Sequence, residues 1–280
     1  MKKRTRHPRA ARSTKFLRTL VLLYVGVLVG APIIFVFQQT FAPGWQALWS
    51  ALNDPQMDSA IGLTAKVAAL AVPLNVIFGV GASLWIVRHP SRFTRLLDTL
   101  IDIPLAVSPI IIGLMLELTY ASNGWFGSTL AKLGWQIIFS YWGLVLCSAF
   151  VSLPLVSRQV IPLLREVGTH QEQTAATLGA GPIRIFLTIT MRSISWATAY
   201  GVTLTLARVI GEYGAVLIVS GNIAFLTQTL TLDIGANFDS FNNYQGFVGA
   251  SVLMAVSLVV LIFLGIARNR ERSRSGYHSA

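Results

Sequence analysis

The chain alternates long apolar blocks with short polar stretches, and the polar stretches hold nearly all of its charge. Leu20 to Phe37 carries no charged residue and is interrupted only by Pro32. A second block runs from about Ala60 to Val87 around Pro73, and a third from about Thr99 to Tyr120 with Pro104 and Pro109 inside it. A fourth covers Ile137 to about Val156, a fifth Trp196 to about Val219, and a sixth, without charge, Phe247 to Ala267. Each is close to the ~20 residues that a helix needs to cross a bilayer. The pattern predicts six transmembrane helices in an all-α integral membrane protein. A basic start before an apolar run also marks signal peptides, but this run is too long and no small-x-small cleavage site follows it.

Charge gives the blocks a direction. Of the 22 Lys and Arg residues, all but Lys66, Lys132 and Arg208 fall in four places. These are the first 18 positions, the loop with Arg88, Arg92 and Arg95, the loop with Arg158, Arg165, Arg184 and Arg192, and the tail with Arg268, Arg270, Arg272 and Arg274. Basic loops stay in the cytoplasm. The expectation is an even number of spans with both termini cytoplasmic. Residues 1–18 form a basic, disordered arm, 19–267 the six-helix domain, and 268–280 a basic tail. The loop at about 162–192 is the longest on the cytoplasmic side.

Composition agrees. The chain of 280 residues is 54% hydrophobic and 12% charged, about half the charge of a soluble domain. The net charge of +11 would suit nucleic acid, but it sits in flanks beside spans and no aromatic-basic surface accompanies it. One cysteine, Cys147, cannot build a disulfide framework, and His7, His89, His170 and His278 are too scattered for a metal set. No nucleophile-base pair and no phosphate-cradling glycine loop is present, so neither an enzyme nor a cofactor is expected.

One segment does not fit the greasy background: Gln171 to Ile194, "QEQTAATLGAGPIRIFLTITMRSI". Thr169 followed by Glu172 has capping-box spacing, which predicts a helix starting near His170. Gln171 to Leu178 continues it, Gly179 to Gly181 end it, and Pro182 suits the first turn of the next helix. The small residues Ala175, Ala176 and Gly179 would let another protein approach closely. On spacing alone, two readings stand: a connection between spans, or a docking knob.

The segment resembles the signature of ATP-binding-cassette (ABC) importer permeases, which runs Glu-Ala-Ala, three residues, Gly, nine residues, Ile-x-Leu-Pro. Ala175, Gly179 and Ile189 match, with Met191 for leucine. Gln173, Thr174 and Arg192 depart from glutamate, alanine and proline. "LDTLIDIPLAVSPIIIGL" (Leu97 to Leu114), "YASNGWFG" (Tyr120 to Gly127) and "LARVIGEYGAVLIVSGNI" (Leu206 to Ile223) resemble the sulfate/thiosulfate permeases, closest to their W-type subunit. The resemblance covers about Leu20 to Ala267.

It implies the six-span, MetI-like ABC importer permease fold in the cytoplasmic (inner) membrane. It implies a non-catalytic subunit that pairs with a second, homologous permease and stands on a cytoplasmic ATPase dimer. An extracytoplasmic binding protein would deliver sulfate or thiosulfate, and the related molybdate or tungstate permeases are the alternative. The 162–192 loop would be the coupling segment, with Glu172, Gln173, Thr174, Ala175, Gly179 and Ile189 as its ATPase-coupling residues. Since Gln173 lacks the family's charge, Glu172 is the candidate to supply it.

Charged groups at bilayer depth cost roughly 2.5 to 3.5 kcal/mol each unless paired or wet. Lys66, Asp102, Glu117, Arg208 and Glu212 are the cases. Arg208 and Glu212, four apart, can pair on a helix face, either as a structural ion pair or as part of the substrate path. Pro104 and Pro109 break the third span, which makes them, with Ser108, Arg208 and Glu212, candidates for the pathway or its gate. Lys66, Asn123 and backbone amides at Gly113 or Gly211 could also donate to an anion. Asp102 is expected near Arg95, and Trp45 and Trp49 fit an interfacial belt.

Overall fold

The structure, a computed structural model, describes residues 8–275, with side chains for residues 17–262 and 265. Among the described residues there are helices and no strands. The chain begins with α1 (Pro8–Phe41), α2 (Trp45–Leu52) and α3 (Pro55–Arg88), followed by α4 (Arg92–Leu100), α5 (Ile103–Ala106), α6 (Pro109–Tyr120) and α7 (Gly127–Lys132). Then come α8 (Tyr141–Ser152), α9 (Pro154–Val167), α10 (His170–Thr177), α11 (Pro182–Ile185), a π-helical turn (Phe186–Thr190) and α12 (Met191–Ile210). The last are α13 (Gly214–Ser220), α14 (Leu230–Asp239) and α15 (Asn243–Ser275).

Four stretches are each long and apolar enough to span a membrane: Leu17–Phe41, Pro55–Arg88, Tyr141–Val167 and Asn243–Ile262. Two bent pairs bring the number to as many as six, if each pair is one span. The third and fifth expected spans are these pairs, not continuous helices. Arg92–Ala106 and Pro109–Tyr120 meet at 110°, and Pro182–Ile210 and Gly214–Ser220 at 57°. The first bend follows from Pro109, which pushes Ser108 out of the helical region; Val107 before it is extended too, at ψ 141. The arm expected to be disordered is helical from Pro8, since Ala, Arg and Lys are good helix formers attached to a stable span. Residues 1–7 and 276–280 lie outside the described residues.

Helix α3 is the central post. With 34 residues it is about 51 Å long, more than the ~30 Å hydrocarbon layer, so its ends reach both polar surfaces. Asp54 caps its start by accepting from the backbone N–H groups of Gln56 (2.8 Å) and Met57 (3.2 Å). Near Arg88 it packs on α9 and α12 through Val80, Val156, Val160, Leu164, Ile194 and Ala197. The contact is close because Gly79 of α3 and Gly201 of α12 both lie against Val156. A Cβ on Gly79 would fall 2.6 Å from Val156 Cβ, and one on Gly201 2.9 Å from its Cα. Helices in lipid gain little from hydrophobic exclusion, so such small-residue contacts carry the association. Asn75, fully buried, donates from Nδ2 to Ser152 Oγ at 2.7 Å, tying α3 to α8 at its joint with α9.

Candidate functional site

Two regions gather the sequence-predicted residues. The first is the knob between α9 and α12. Gly168 ends α9 at φ +65 and Gly179 ends the turn after α10 at φ +85, a region L side chains rarely adopt. The two glycines reverse the chain on either side of a two-turn helix. Gln173, Thr174, Ala176 and Thr177 are exposed on it, while Ala175 and Ile189 are half-buried. Beside them stand apolar side chains without protein cover: Leu178 is 83% exposed, Ile183 75% and Leu187 60%.

The expected capping box at Thr169 does not form. Thr169 has φ −115 and ψ 3, not the extended shape of an N-cap, and its hydroxyl receives Gln173 Nε2 at 3.2 Å instead. Glu172 turns away from the helix start. Its Oε1 binds the guanidinium of Arg88, the last residue of α3, and accepts from the hydroxyl of buried Thr190. Arg88 also donates to Thr190 Oγ1 at 3.2 Å. A cation and a hydroxyl together outbid a neutral backbone N–H for a carboxylate. The clamp fixes α10 against the end of α3 and the π-helical turn, above an open depression lined by Val87, Arg88, Glu172, Gln173, Ala176 and Phe186. Arg88 and Thr190 were not singled out for this role in the sequence. The available signal was an arginine placed just where a span ends.

On the same end, a second ion-pair set joins α4 to α9. Asp102, expected near Arg95, takes Arg158 of α9 as its ion-pair partner. Arg158 also donates to the Asp98 carbonyl at 3.3 Å, and Arg165 binds Asp98 Oδ2 at 3.2 Å. Asp98 and Asp102 lie four apart and are both taken by α9, while Arg95, one turn before Asp98, is exposed and forms no ion pair among the described residues.

The second region is where the two bends meet. Helices α6 and α13 each start at a break and pack closely. A Cβ on Gly214 would lie 3.0 Å from Ile110 Cγ1 and 3.6 Å from Pro109 Cβ, and one on Gly113 2.8 Å from the Ala215 carbonyl oxygen. Pro109, and Ser108 before it, are thereby placed beside the start of α13. Pro104 is buried in α5. Arg208 pairs with Glu212 at 3.3 Å, but not along one helix face, because α12 ends at Ile210. Glu212 sits in the break itself, buried. Its Oε1 accepts from Ala215 N at 3.1 Å, and its carbonyl accepts from Thr231 Oγ1 at 2.7 Å. The carboxylate thus closes the start of α13 and neutralises Arg208, whose side chain stays 43% exposed. Lys66 and Asn123 are exposed, and Glu117 is half-buried. Among the described residues no group of His, Cys, Asp and Glu is arranged to hold a metal ion.

At the opposite end of α3, Gln56 Nε2 donates to Gln228 Oε1 and Asp233 Oδ1, both at 2.9 Å. Asp233, at the start of α14 and outside the candidate spans, is buried, and burial pushes its carboxyl above the ordinary value against the bond from Gln56.

Residues 75–273 match the family described as binding-protein-dependent transport system inner membrane component. The chain is 39% identical over 257 residues to the sulfate transport system permease protein CysW of Synechococcus elongatus, covering 92% of this chain and 90% of that one. It is 39% identical to CysW of Escherichia coli (86% and 84% covered) and 33% identical to the sulfate transport system permease protein CysT of the same organism (89% and 90%). In fold it is similar to a chain from the crystal structure of a bacterial ABC transporter involved in the import of the acidic polysaccharide alginate. The TM-score is 0.74 at 14% identity, over 95% of this chain and 98% of that one.

Proposed function

Since the chain belongs to the family of binding-protein-dependent transport system inner membrane components, we propose that it is the W-type permease subunit of an ABC importer for sulfate or thiosulfate. It is a multi-pass membrane protein, and the work it does is conduction and coupling, with ATP hydrolysis left to partner subunits. The observation that carries the substrate assignment is similarity to sulfate permeases along nine-tenths of the chain. A general membrane scaffold would have no cause to match them throughout.

In this reading the end bearing Arg88, α4 and α10 faces the cytoplasm, with both termini. The knob of α10 docks in a groove of the ATPase dimer. Gln173, Thr174, Ala175 and Gly179 lie on or beside that contact, and Leu178, Ile183 and Leu187 supply apolar surface that water alone does not favour. Glu172, held by Arg88, positions the knob from inside, and Ile189 backs it. Closure of the ATPases moves the knob, and α9 and α12 carry the displacement as rigid bodies into the bundle. The bends at Val107–Ser108 and Gly211–Tyr213 lie together beside Arg208 and Glu212, which suits a gate. Pro104, Ser108, Pro109, Arg208 and Glu212 are its proposed parts. The pair of Arg208 with Glu212 leaves a half-exposed cation without a deep trap for a dianion, as a conduit requires. A homologous second permease completes the path, and an extracytoplasmic binding protein delivers the anion at the end that holds α14.

The test is radiolabelled sulfate uptake in a strain lacking this chain. Uptake should fall to background and return with the restored chain. Unchanged sulfate uptake with lost molybdate uptake would make the substrate assignment wrong.

A further inference from the structure

We propose that α4 is an interfacial anchor whose outward face binds the anionic phospholipid headgroups of the membrane surface. The inference rests on the chain being a membrane protein and not on the substrate it carries.

Helix α4 has three faces. One faces the protein: Thr94 is buried, and Asp98 is turned to Arg158 and Arg165 of α9. Phe93, Leu96 and Leu100, spaced three and four apart, form a second stripe that is apolar and exposed. Arg92, Arg95 and Thr99 form the third, exposed and next to the apolar one. Among the described residues neither Arg92 nor Arg95 forms an ion pair, because the carboxylates of this segment, Asp98 and Asp102, are occupied by α9. What α4 shows outward is therefore apolar surface flanked by uncompensated positive charge. This is the composition of a helix lying in the headgroup layer.

Its position agrees. The 110° bend turns α4 and α5 away from the direction of α6. Phe93 packs on Trp85 near the end of α3, with ring centroids 5.7 Å apart. Through that contact the apolar stripe continues the exposed Ile77, Phe78 and Trp85 surface of a spanning helix. Aromatic rings at the end of a span with arginines just beyond it mark the boundary of hydrocarbon and headgroup. Anionic headgroups complement Arg92 and Arg95, at about fivefold in binding for each basic residue near the surface.

The consequence reaches the knob. Asp98 and Asp102 tie the α4 segment to α9, and α9 leads to α10, so the anchor links the knob's end of the bundle to the membrane plane.

The test uses the complete transporter in vesicles. The single cysteine of this chain, Cys147, is buried, so Leu96→Cys on the exposed stripe is labelled selectively when the purified chain takes the fluorophore before assembly with its partners. Quenching is compared between brominated phosphatidylglycerol and brominated phosphatidylcholine. The expected result is quenching by both lipids, stronger by phosphatidylglycerol. That preference should fall about fivefold for each arginine removed in Arg92→Gln and Arg95→Gln, and should weaken in high salt. Equal quenching by the two lipids with both arginines present overturns the proposal. So does a label protected from both lipids that cross-links to another subunit, which would make the face a protein interface. Neither readout depends on sulfate movement, so failure here and failure of the substrate assignment are separable.

Discussion

The clamp of Arg88, Glu172 and Thr190 gives the sharpest prediction. Replacing Glu172 by Gln leaves the Arg88 guanidinium without its carboxylate, and replacing Arg88 by Gln leaves Glu172 held by Thr190 alone. A hydrogen bond to a charged group contributes about 1.5 to 3 kcal/mol when shielded. The side chains here are 33% and 19% exposed, so solvent and salt reduce that figure, and we expect about 1 kcal/mol of coupling. A double-mutant cycle reads it directly. The loss of stability in Arg88→Gln/Glu172→Gln should be smaller than the sum of the two single losses by about that amount. The assay is thermal unfolding of the complex, alongside the ratio of sulfate transported to ATP hydrolysed in vesicles. All three variants should transport less per ATP, because α10 is no longer fixed to α3. Additivity within about 0.5 kcal/mol would refute the clamp. A drop in ATPase binding that appears in Glu172→Gln and not in Arg88→Gln would show instead that the carboxylate reaches across to the partner.

Other outcomes follow from the same geometry. Gly179→Leu should keep the fold but uncouple ATP use from transport; nothing lies within 4 Å of the added Cβ, so its cost is backbone strain at φ +85, about 1 to 2 kcal/mol, plus a blocked docking face. A channel would instead conduct with no ATPase present, and conductance in this chain alone would sink the coupling account. Gly79→Ala and Gly201→Ala should each lower stability by about 1 to 3 kcal/mol through overpacking on Val156, and Val156→Ala should not relieve Gly201→Ala because that clash is with the backbone. For Asp233, the raised folded-state pKa means its protonated form favours folding, so this contribution is present at acid pH and lost as pH rises through the folded pKa. Asp233→Asn should match the native chain in thermal stability below about pH 4 and exceed it as pH rises above that, and an unchanged difference across the rise would contradict it.

The sequence alone determined the membrane class, the six apolar blocks and the segregation of positive charge, because these depend on block length and residue type counted along the chain. Gly179 as the reversal just after α10 and Pro182 as the start of α11 were legible for the same reason, since backbone freedom is local. The partners of charged side chains were not. Glu172 has capping-box spacing but binds Arg88, which is 84 positions away, and Asp102 lies near Arg95 in sequence but pairs with Arg158. The bends were visible as prolines and glycines. That they meet, bringing Pro109 beside Gly214 and Glu212 into the start of α13, was decided by packing of α6 on α13. Local rules set which conformations a segment can adopt. A buried or half-buried charge takes whichever counter-charge the tertiary fold places within reach, because leaving it unpaired costs more than any local preference returns.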